Sequence, residues 1–347
     1  MPPIGAHVQI RGGLATGGLA YTDAVAARAV QVFVGNPRGW RLTPGDPAQD
    51  ARFTAGCAER GVPSFIHTPF LVDVGSPTEA TVEQSVATIA HNLARGAQLG
   101  CRGVVVHAGS AVGEDRYEDA LRQLHERLLP VLEAAPDDGP RLLVEPTAGG
   151  GRSLAATVED LGPYFAALEH HPLLGVCFDT CHAWAAGHDL TVPGGTTATL
   201  DALETTVGPG RLGLVHANDS LDECGSKRDR HTTIGQGSIG VAPFAELLAH
   251  PSMAGVPVVV ETPSADDGHA RDIALLNDLA VLRTAPRRHP QQPEPCRSPS
   301  LCADAQFSGL EVRISAQRRH AAAAAVRRAR PGCPAGRPLV SRSSGCS

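Results

Sequence analysis

The sequence predicts an α/β protein: a closed (β/α)8 barrel of the TIM type, with a metal site at the C-terminal ends of its strands and a basic tail beyond it. Three observations lead there. Six short apolar runs each lead into a residue able to bind a metal: 64–66 into His67, 103–106 into His107, 142–144 into Glu145, 175–178 into Asp179, 213–215 into His216 and 258–260 into Glu261. Their spacings of 40, 38, 34, 37 and 45 residues each leave room for a strand, a loop and a crossover helix. Two further strand-like runs, 4–8 and 29–34, bring the number to eight. Short β-rich runs with little alternation read as parallel strands buried on both faces. Ligands placed directly after such strands share one mouth once the strands close.

Helical patterns fall between the runs. Ser76-Pro77-Thr78-Glu79 reads as a capping box with proline in the first turn. Val82, Val86, Ile89, Leu93 and Ala97 follow at helical spacing. A second helix is expected over residues 117–135, with Leu121, Leu124, Leu128 and Val131 on one face. It stops at the turn signal Pro136-Asp137-Asp138-Gly139. The last barrel helix is expected over 271–282, so a domain of residues 1–284 closes the fold.

Composition agrees with one large domain. The chain has 347 residues and is 42% hydrophobic, enough for a barrel of about 250 residues. It has no apolar run of about 18 residues, so no transmembrane helix is expected. The first residues lack the charged and apolar regions of a signal peptide. A cytoplasmic protein is expected, with its nine cysteines reduced. Residues 285–347 form an Arg- and Pro-rich stretch without barrel periodicity, in which disorder is expected. From Arg283 onward there are 12 arginines and no lysine against 3 acidic residues, net +9, which leaves 18 basic against 33 acidic residues, net −15, in the rest. An acidic body is unlike a generic nucleic-acid coat, but bound dications would reverse the local sign.

Two local clusters extend the ligand set. Asp179-Thr180-Cys181-His182 adds a second ligand three residues past a strand end. Asp229-Arg230-His231 sets a carboxylate and an imidazole two apart, on one side of an extended loop. The candidates are then His67, His107, Glu145, Asp179, His182, His216, Asp229, His231 and Glu261. Five imidazoles with four carboxylates suit zinc, with manganese as a substitute, whereas magnesium and calcium favour all-oxygen shells. Nine ligands exceed what one ion uses. With one bridging carboxylate they fit about three ions and leave positions open for water and substrate.

Other motifs carry less. Gly235-Gln236-Gly237-Ser238-Ile239-Gly240 spells a dinucleotide fingerprint, but no apolar strand leads into it and no acidic partner follows. Thr147-Ala148-Gly149-Gly150-Gly151 is open between a phosphate-facing loop and an ordinary barrel-mouth loop. Cys177 reads as a small buried hydrophobe, and His7, His125 and His188 as structural residues.

Taken together, several stretches resemble endonuclease IV, the metal-dependent abasic-site nuclease family of base-excision repair. They are Gly5-Ala6-His7-Val8 with Gly12-Gly13, Phe33-Val34-Gly35-Asn36-Pro37-Arg38-Gly39-Trp40, His67-Thr68-Pro69-Phe70 and Val106-His107-Ala108-Gly109-Ser110. The others are Phe178-Asp179-Thr180-Cys181-His182-Ala183, His216-Ala217-Asn218-Asp219-Ser220, Gly225-Ser226-Lys227-Arg228-Asp229-Arg230-His231 and Glu261-Thr262-Pro263. Phe70 stands where the family commonly has tyrosine, and Glu145-Pro146-Thr147-Ala148-Gly149-Gly150 has proline and glycine where asparagine and glutamine are expected.

The resemblance implies a zinc-dependent deoxyribonuclease. It would hydrolyse the phosphodiester 5′ to an abasic site in duplex DNA, leaving a 3′-hydroxyl and a 5′-deoxyribose phosphate. It implies one ion on His67 and His107, with Glu145, the catalytic carboxylate, bridging to a second on Asp179, His216 and Glu261. A third would lie on His182, Asp229 and His231. Arg38, Phe70, Lys227, Arg228 and Arg230 are the expected DNA contacts, the partner is double-stranded DNA with abasic or 3′-blocked damage, and a monomer is expected. The main alternative is a sugar isomerase or epimerase on the same barrel using one or two divalent metals, which metal count separates. A non-catalytic damage-binding protein is separated by turnover on an abasic oligonucleotide.

Overall fold

The computed structural model describes residues 1–284; the expected disordered segment, 285–347, lies outside them. Among the described residues the strands β1 (Ile4–His7), β2 (Val30–Val32), β3 (Ser64–His67), β4 (Gly103–His107), β5 (Arg141–Glu145), β6 (Leu174–Asp179) and β7 (Leu212–His216) come in turn. A two-residue antiparallel pair follows, β8 (Asp219–Ser220) with β9 (His231–Thr232), and then β10 (Val258–Val260). The eight long-range strands close in the order β1-β10-β7-β6-β5-β4-β3-β2, with every neighbouring pair parallel. This is the predicted barrel. Five of the six expected strand-end ligands are the last residue of their strand, and Glu261 is the next one on.

Helices α1 (Ala20–Ala24), α2 (Pro47–Arg60), α3 (Glu79–Leu99), α4 (Tyr117–Glu133), α5 (Leu161–Ala167), α6 (Thr180–Ala186), α7 (Gly195–Val207), α8 (Ala242–Ala249) and α9 (Gly268–Thr284) lie between or after the strands. The capping box expected at Ser76 does not form. The Ser76 hydroxyl instead accepts from Thr78 N at 3.2 Å, a local turn that competes with the helix, and α3 starts at Glu79 with Thr78 as its N-cap. Its buried face includes Val82, Ile89 and Leu93, whereas Ala97 is exposed. In α4, Leu124 and Leu128 are buried as expected, and Gly139 N donates to Pro136 O at 2.8 Å in the turn that follows.

The lumen is filled by Ala29, Phe65, Val105, Leu143, Cys177, Leu214 and Val259, a separate buried cluster. Leu143 reaches across it because its neighbours are glycines. A Cβ on Gly103, Gly175 or Gly213 would lie 2.8, 2.8 or 2.6 Å from Leu143 side-chain carbons. The lumen is thus a packed floor, and polar groups set above it are held from below. The five described cysteines are unbridged. No described helix is long and apolar enough to cross a membrane.

Candidate metal centre

Strand parity builds the site. Side chains alternate along a strand, so residues two positions beyond the lumen layer face the same way, toward the mouth. Those residues are Gln31, His67, His107, Glu145, Asp179, His216 and Glu261. His7, two beyond Gly5 in β1, joins them. Each of the eight strands therefore contributes one polar side chain to a ring on an apolar floor. Six of the eight are predicted ligands. His182 comes from α6, which begins directly after β6, where the Asp179 carboxylate caps His182 N at 2.8 Å. Asp229 and His231 come from the loop that returns through β9.

Among the described residues, five donor groups have their ligand atoms within 4.8 Å of one another. Two of them include a cysteine (Glu145, Cys177, His216 and Asp179, Cys181, His231). The other three use predicted ligands alone: His67, His107, Glu145; then Glu145, Asp179, His216, Glu261; then His182, Asp229, His231. Glu145 belongs to two of these three. Its Oε2 has His67 Nε2 at 3.3 Å and His107 Nε2 at 3.7 Å, and its Oε1 has His216 Nδ1 at 3.1 Å. His216 Nδ1 also lies 3.3 Å from Glu261 Oε2 and 3.7 Å from Asp179 Oδ2. In the third group, Asp229 lies 3.3 Å from His182 Nε2 and 2.9 Å from His231 Nε2.

The donors fit a divalent metal. Glu145 Oε2 is fully buried and makes no hydrogen bond, an expensive state for a carboxylate unless a cation completes it. The ring nitrogens not facing the groups are fastened elsewhere. His67 Nδ1 donates to Thr68 O at 2.7 Å and His182 Nδ1 to Pro146 O at 3.0 Å. Fixing one nitrogen leaves the other's lone pair for the ion.

Without metal, the centre is a network of opposed charges. Burial raises the cost of ionising Glu145, but the His216 charge and hydrogen bonds from His182 and His216 override it and hold the carboxyl well below its usual range. Burial likewise opposes protonation of His182, yet Asp179, Asp229 and Glu145 hold it well above the ordinary imidazole value. His216 and His231 are also raised well above, against burial, by their acidic neighbours and nearby cysteines. His107 is pushed down to about 4, by burial against the pull of Glu145, and burial lowers His7 as well. A raised imidazole keeps its proton as pH rises past the unfolded value, so the metal-free network weakens only once pH passes the folded values. A metal must displace those protons. Loading is therefore expected to release protons at neutral pH, and affinity to fall steadily on acidification. Calorimetry in buffers of different ionisation enthalpy checks this; loading without proton release would show that these histidines start neutral.

Residues 19–279 match the model of a family described as a xylose isomerase-like TIM barrel. Over 278 residues the chain is 54% identical to the probable endonuclease 4 of Streptomyces avermitilis, a match covering 80% of this chain and 90% of that protein. This chain belongs to the endonuclease IV family. The probable endonuclease 4 of Chloroflexus aurantiacus is 34% identical over 282 residues, 80% of this chain and 98% of its own. The solved endonuclease IV of Thermus thermophilus superposes with a TM-score of 0.71 at 34% identity, covering 81% of this chain and all of that one. A D-tagatose 3-epimerase-like protein matches with a TM-score of 0.63 at 19% identity, a likeness of fold alone.

On this endonuclease IV scaffold the remaining predicted residues differ in setting. Phe70 is 51% exposed and stands at the rim beside two ligands, its ring 5.8 Å from His67 and 6.0 Å from His107. Phe70 N donates to Pro37 O at 3.0 Å, which ties its loop to the one carrying the exposed Arg38. Lys227 lines a recess of about 350 Å³ with Ser110, Thr147, Gly150, His107 and His182. Arg230 makes a bidentate pair with Asp222, and Arg228 approaches the same carboxylate at 3.5 Å, so both are already anchored within the loop.

Three residues beyond those expected shape the site. His7, expected to be merely structural, lies in the ring, with Nδ1 2.8 Å from Glu261 Oε1. Gln31 is fully buried beside it. Asn218 donates to Asp179 Oδ2 at 2.7 Å and accepts from Glu261 N at 2.8 Å. Strand parity, applied to all eight runs, would have found the first two. The false fingerprint at 235–240 also finds its use. Gly235, Gly237, Ile239 and Gly240 direct backbone N–H groups to the carboxylate of Asp219, not to a phosphate.

Proposed function

We propose that this chain hydrolyses the phosphodiester 5′ to an abasic site in duplex DNA, leaving a 3′-hydroxyl and a 5′-deoxyribose phosphate, with about three zinc ions held by its nine ligands. The carrying observation is the shared carboxylate: Glu145 belongs to two ligand groups, and a third lies on its flank. The relatives' name, endonuclease 4, supports the same reading. A sugar epimerase using one or two ions would leave His182, Asp229 and His231 without a task. The barrel domain, residues 1–284, is the proposed catalytic unit, acting as a cytoplasmic monomer.

Divalent ions bound there supply charge neutralisation at the phosphate and a water acidic enough to attack near neutral pH. The chain's own residues do the rest. His67 and His107 converge on Glu145 Oε2, so that oxygen is held where it can steer or accept a water's proton. The floor of Phe65, Val105, Leu143 and Leu214 keeps water from entering below the ligands. The mouth is a cleft of about 1080 Å³ that reaches from the ligands to Val8, Ile10 and Tyr21.

Incision of a duplex with a single tetrahydrofuran site tests the proposal. One cut with a 3′-hydroxyl, abolished by chelator and restored by zinc, is expected; an uncut duplex overturns it.

Damage selection gives a second test. A nucleotide without a base costs less to extrude than an intact one, and Phe70 and Arg38 stand on linked loops at the rim. Replacing both with alanine is expected to weaken binding to an abasic duplex much more than to an undamaged one. Equal losses would mean that they make only backbone contacts.

A further inference from the structure

Gln31 lies in the polar ring with no exposed surface, between two ligands of the second group. Its amide spans them. Gln31 Nε2 is 2.8 Å from Glu261 Oε1, and Gln31 Oε1 is 2.9 Å from His216 Nε2. The orientation of the amide follows from chemistry. A carboxylate oxygen only accepts, so the atom facing Glu261 is the NH2 group. The carbonyl oxygen then faces His216 Nε2, which must carry the proton and donate. With Nε2 committed to that bond, Nδ1 is the nitrogen that can give up its proton to a metal; it faces Glu145 Oε1, Glu261 Oε2 and Asp179 Oδ2 at 3.1, 3.3 and 3.7 Å.

The same amide also determines which oxygen of Glu261 is used up. Oε1 accepts from Gln31 Nε2, and His7 Nδ1 lies 2.8 Å from that oxygen and 2.9 Å from Gln31 Nε2. Oε2 is left facing His216 Nδ1. Backbone pairing fixes Gln31 in place, since Val8 N donates to its carbonyl at 2.8 Å and β2 registers His7 beside Gln31 and Gln31 beside Phe65.

We propose that Gln31 is a positioning residue of the second ligand group, whose single amide commits His216 Nε2 and Glu261 Oε1 and so reserves Nδ1 and Oε2 for the metal. The proposal rests on the reading that Glu145, Asp179, His216 and Glu261 hold an ion. Outer partners of this kind typically set metal affinity by about 10- to 100-fold.

Two substitutions separate the arms of the clamp. Gln31→Met keeps length and packing but offers neither donor nor acceptor. Gln31→Glu keeps an acceptor for His216 and turns a second carboxylate on Glu261. Zinc is the probe, with affinities from chelator competition and the His216 ring N–H followed by NMR in the zinc-loaded protein. In the parent chain the Nε2–H should exchange slowly with water. Gln31→Met should weaken one ion by about 10- to 100-fold, leave the others unchanged and expose that N–H to exchange. Gln31→Glu should weaken the same ion while keeping the N–H protected. Parent affinity for every ion in Gln31→Met, or a parent N–H that exchanges as fast as an exposed imidazole, overturns the proposal. The parent N–H decides even if Gln31→Met does not fold. A parent chain that binds no zinc overturns the metal reading instead.

Discussion

Replacing Glu145 with glutamine is expected to cut turnover on an abasic duplex by more than the roughly 10- to 100-fold that losing an outer partner of a metal ligand costs. The substitution preserves shape and swaps one carboxylate oxygen for an NH2 group. An NH2 group cannot ligate a cation, and Glu145 offers Oε2 to the group of His67 and His107 and Oε1 to the group of His216. One change therefore disturbs two ligand groups at once. It also removes one of the negative charges that, with Asp179 and Asp229 for His182 and with Cys177 and Glu261 for His216, favour the protonated rings in the metal-free state. Zinc per chain and steady-state incision are the two readouts. Unchanged incision with a full zinc complement would end the idea that this carboxylate is shared.

Much of this centre was legible because it follows from strand chemistry. A buried parallel strand must be apolar along its length, so a histidine or carboxylate at its end stands out against Val104, Val105 and Val106, or Leu142, Leu143 and Val144. Such a position also has a fixed direction once the barrel closes. Gln31 and His7 obey the same rule and were missed for a shared reason. Gln31 sits inside the run 29–34, where only residues 30–32 are strand, so nothing in the run marks it as a strand end. His7 ends β1, one residue short of the end of the apolar run 4–8, so it does not stand at the run's terminus.

Other features depend on contacts distant in sequence. The pair β8 and β9 has two residues per strand, too few for alternation to be seen. Asp229 and His231 were suggested by their spacing and matched through the family motif; nothing local says that their loop folds back over the mouth. Ser76 failed as a helix cap for a local reason: its hydroxyl satisfies Thr78 N first. The family motif pointed to Arg228 and Arg230 as DNA contacts, but it could not show that Asp222 holds both.

That loop carries the second large prediction. Asp219 has no exposed surface, and its carboxylate accepts from five backbone amides, those of Ser220, Gly235, Gly237, Ile239 and Gly240, at 2.8, 2.8, 3.1, 2.9 and 3.2 Å. A Cβ on Gly237 would lie 2.4 Å from Asp219 Oδ1, so the close wrap requires glycine there. Asp219 pairs with Thr232, and Ser220 with His231, so this carboxylate pins both ends of the segment that presents Asp229 and His231. Asp219→Ala would remove the acceptor of all five amides, of which those of Ser220 and Ile239 belong to buried residues and the three glycine amides can turn to water. Each unsatisfied buried donor costs on the order of 1–3 kcal/mol, so a non-additive total of about 2–5 kcal/mol is expected. The barrel strands do not depend on this loop. The variant should therefore keep its barrel, unfold at a lower temperature and lose the ion of the third group while retaining the other two. Asp219→Asn keeps one acceptor oxygen and should fall between the parent and the alanine variant. Thermal midpoints together with zinc per chain measure both effects. An Asp219→Ala protein with the parent's midpoint and zinc content would mean that the loop is held by contacts other than this carboxylate.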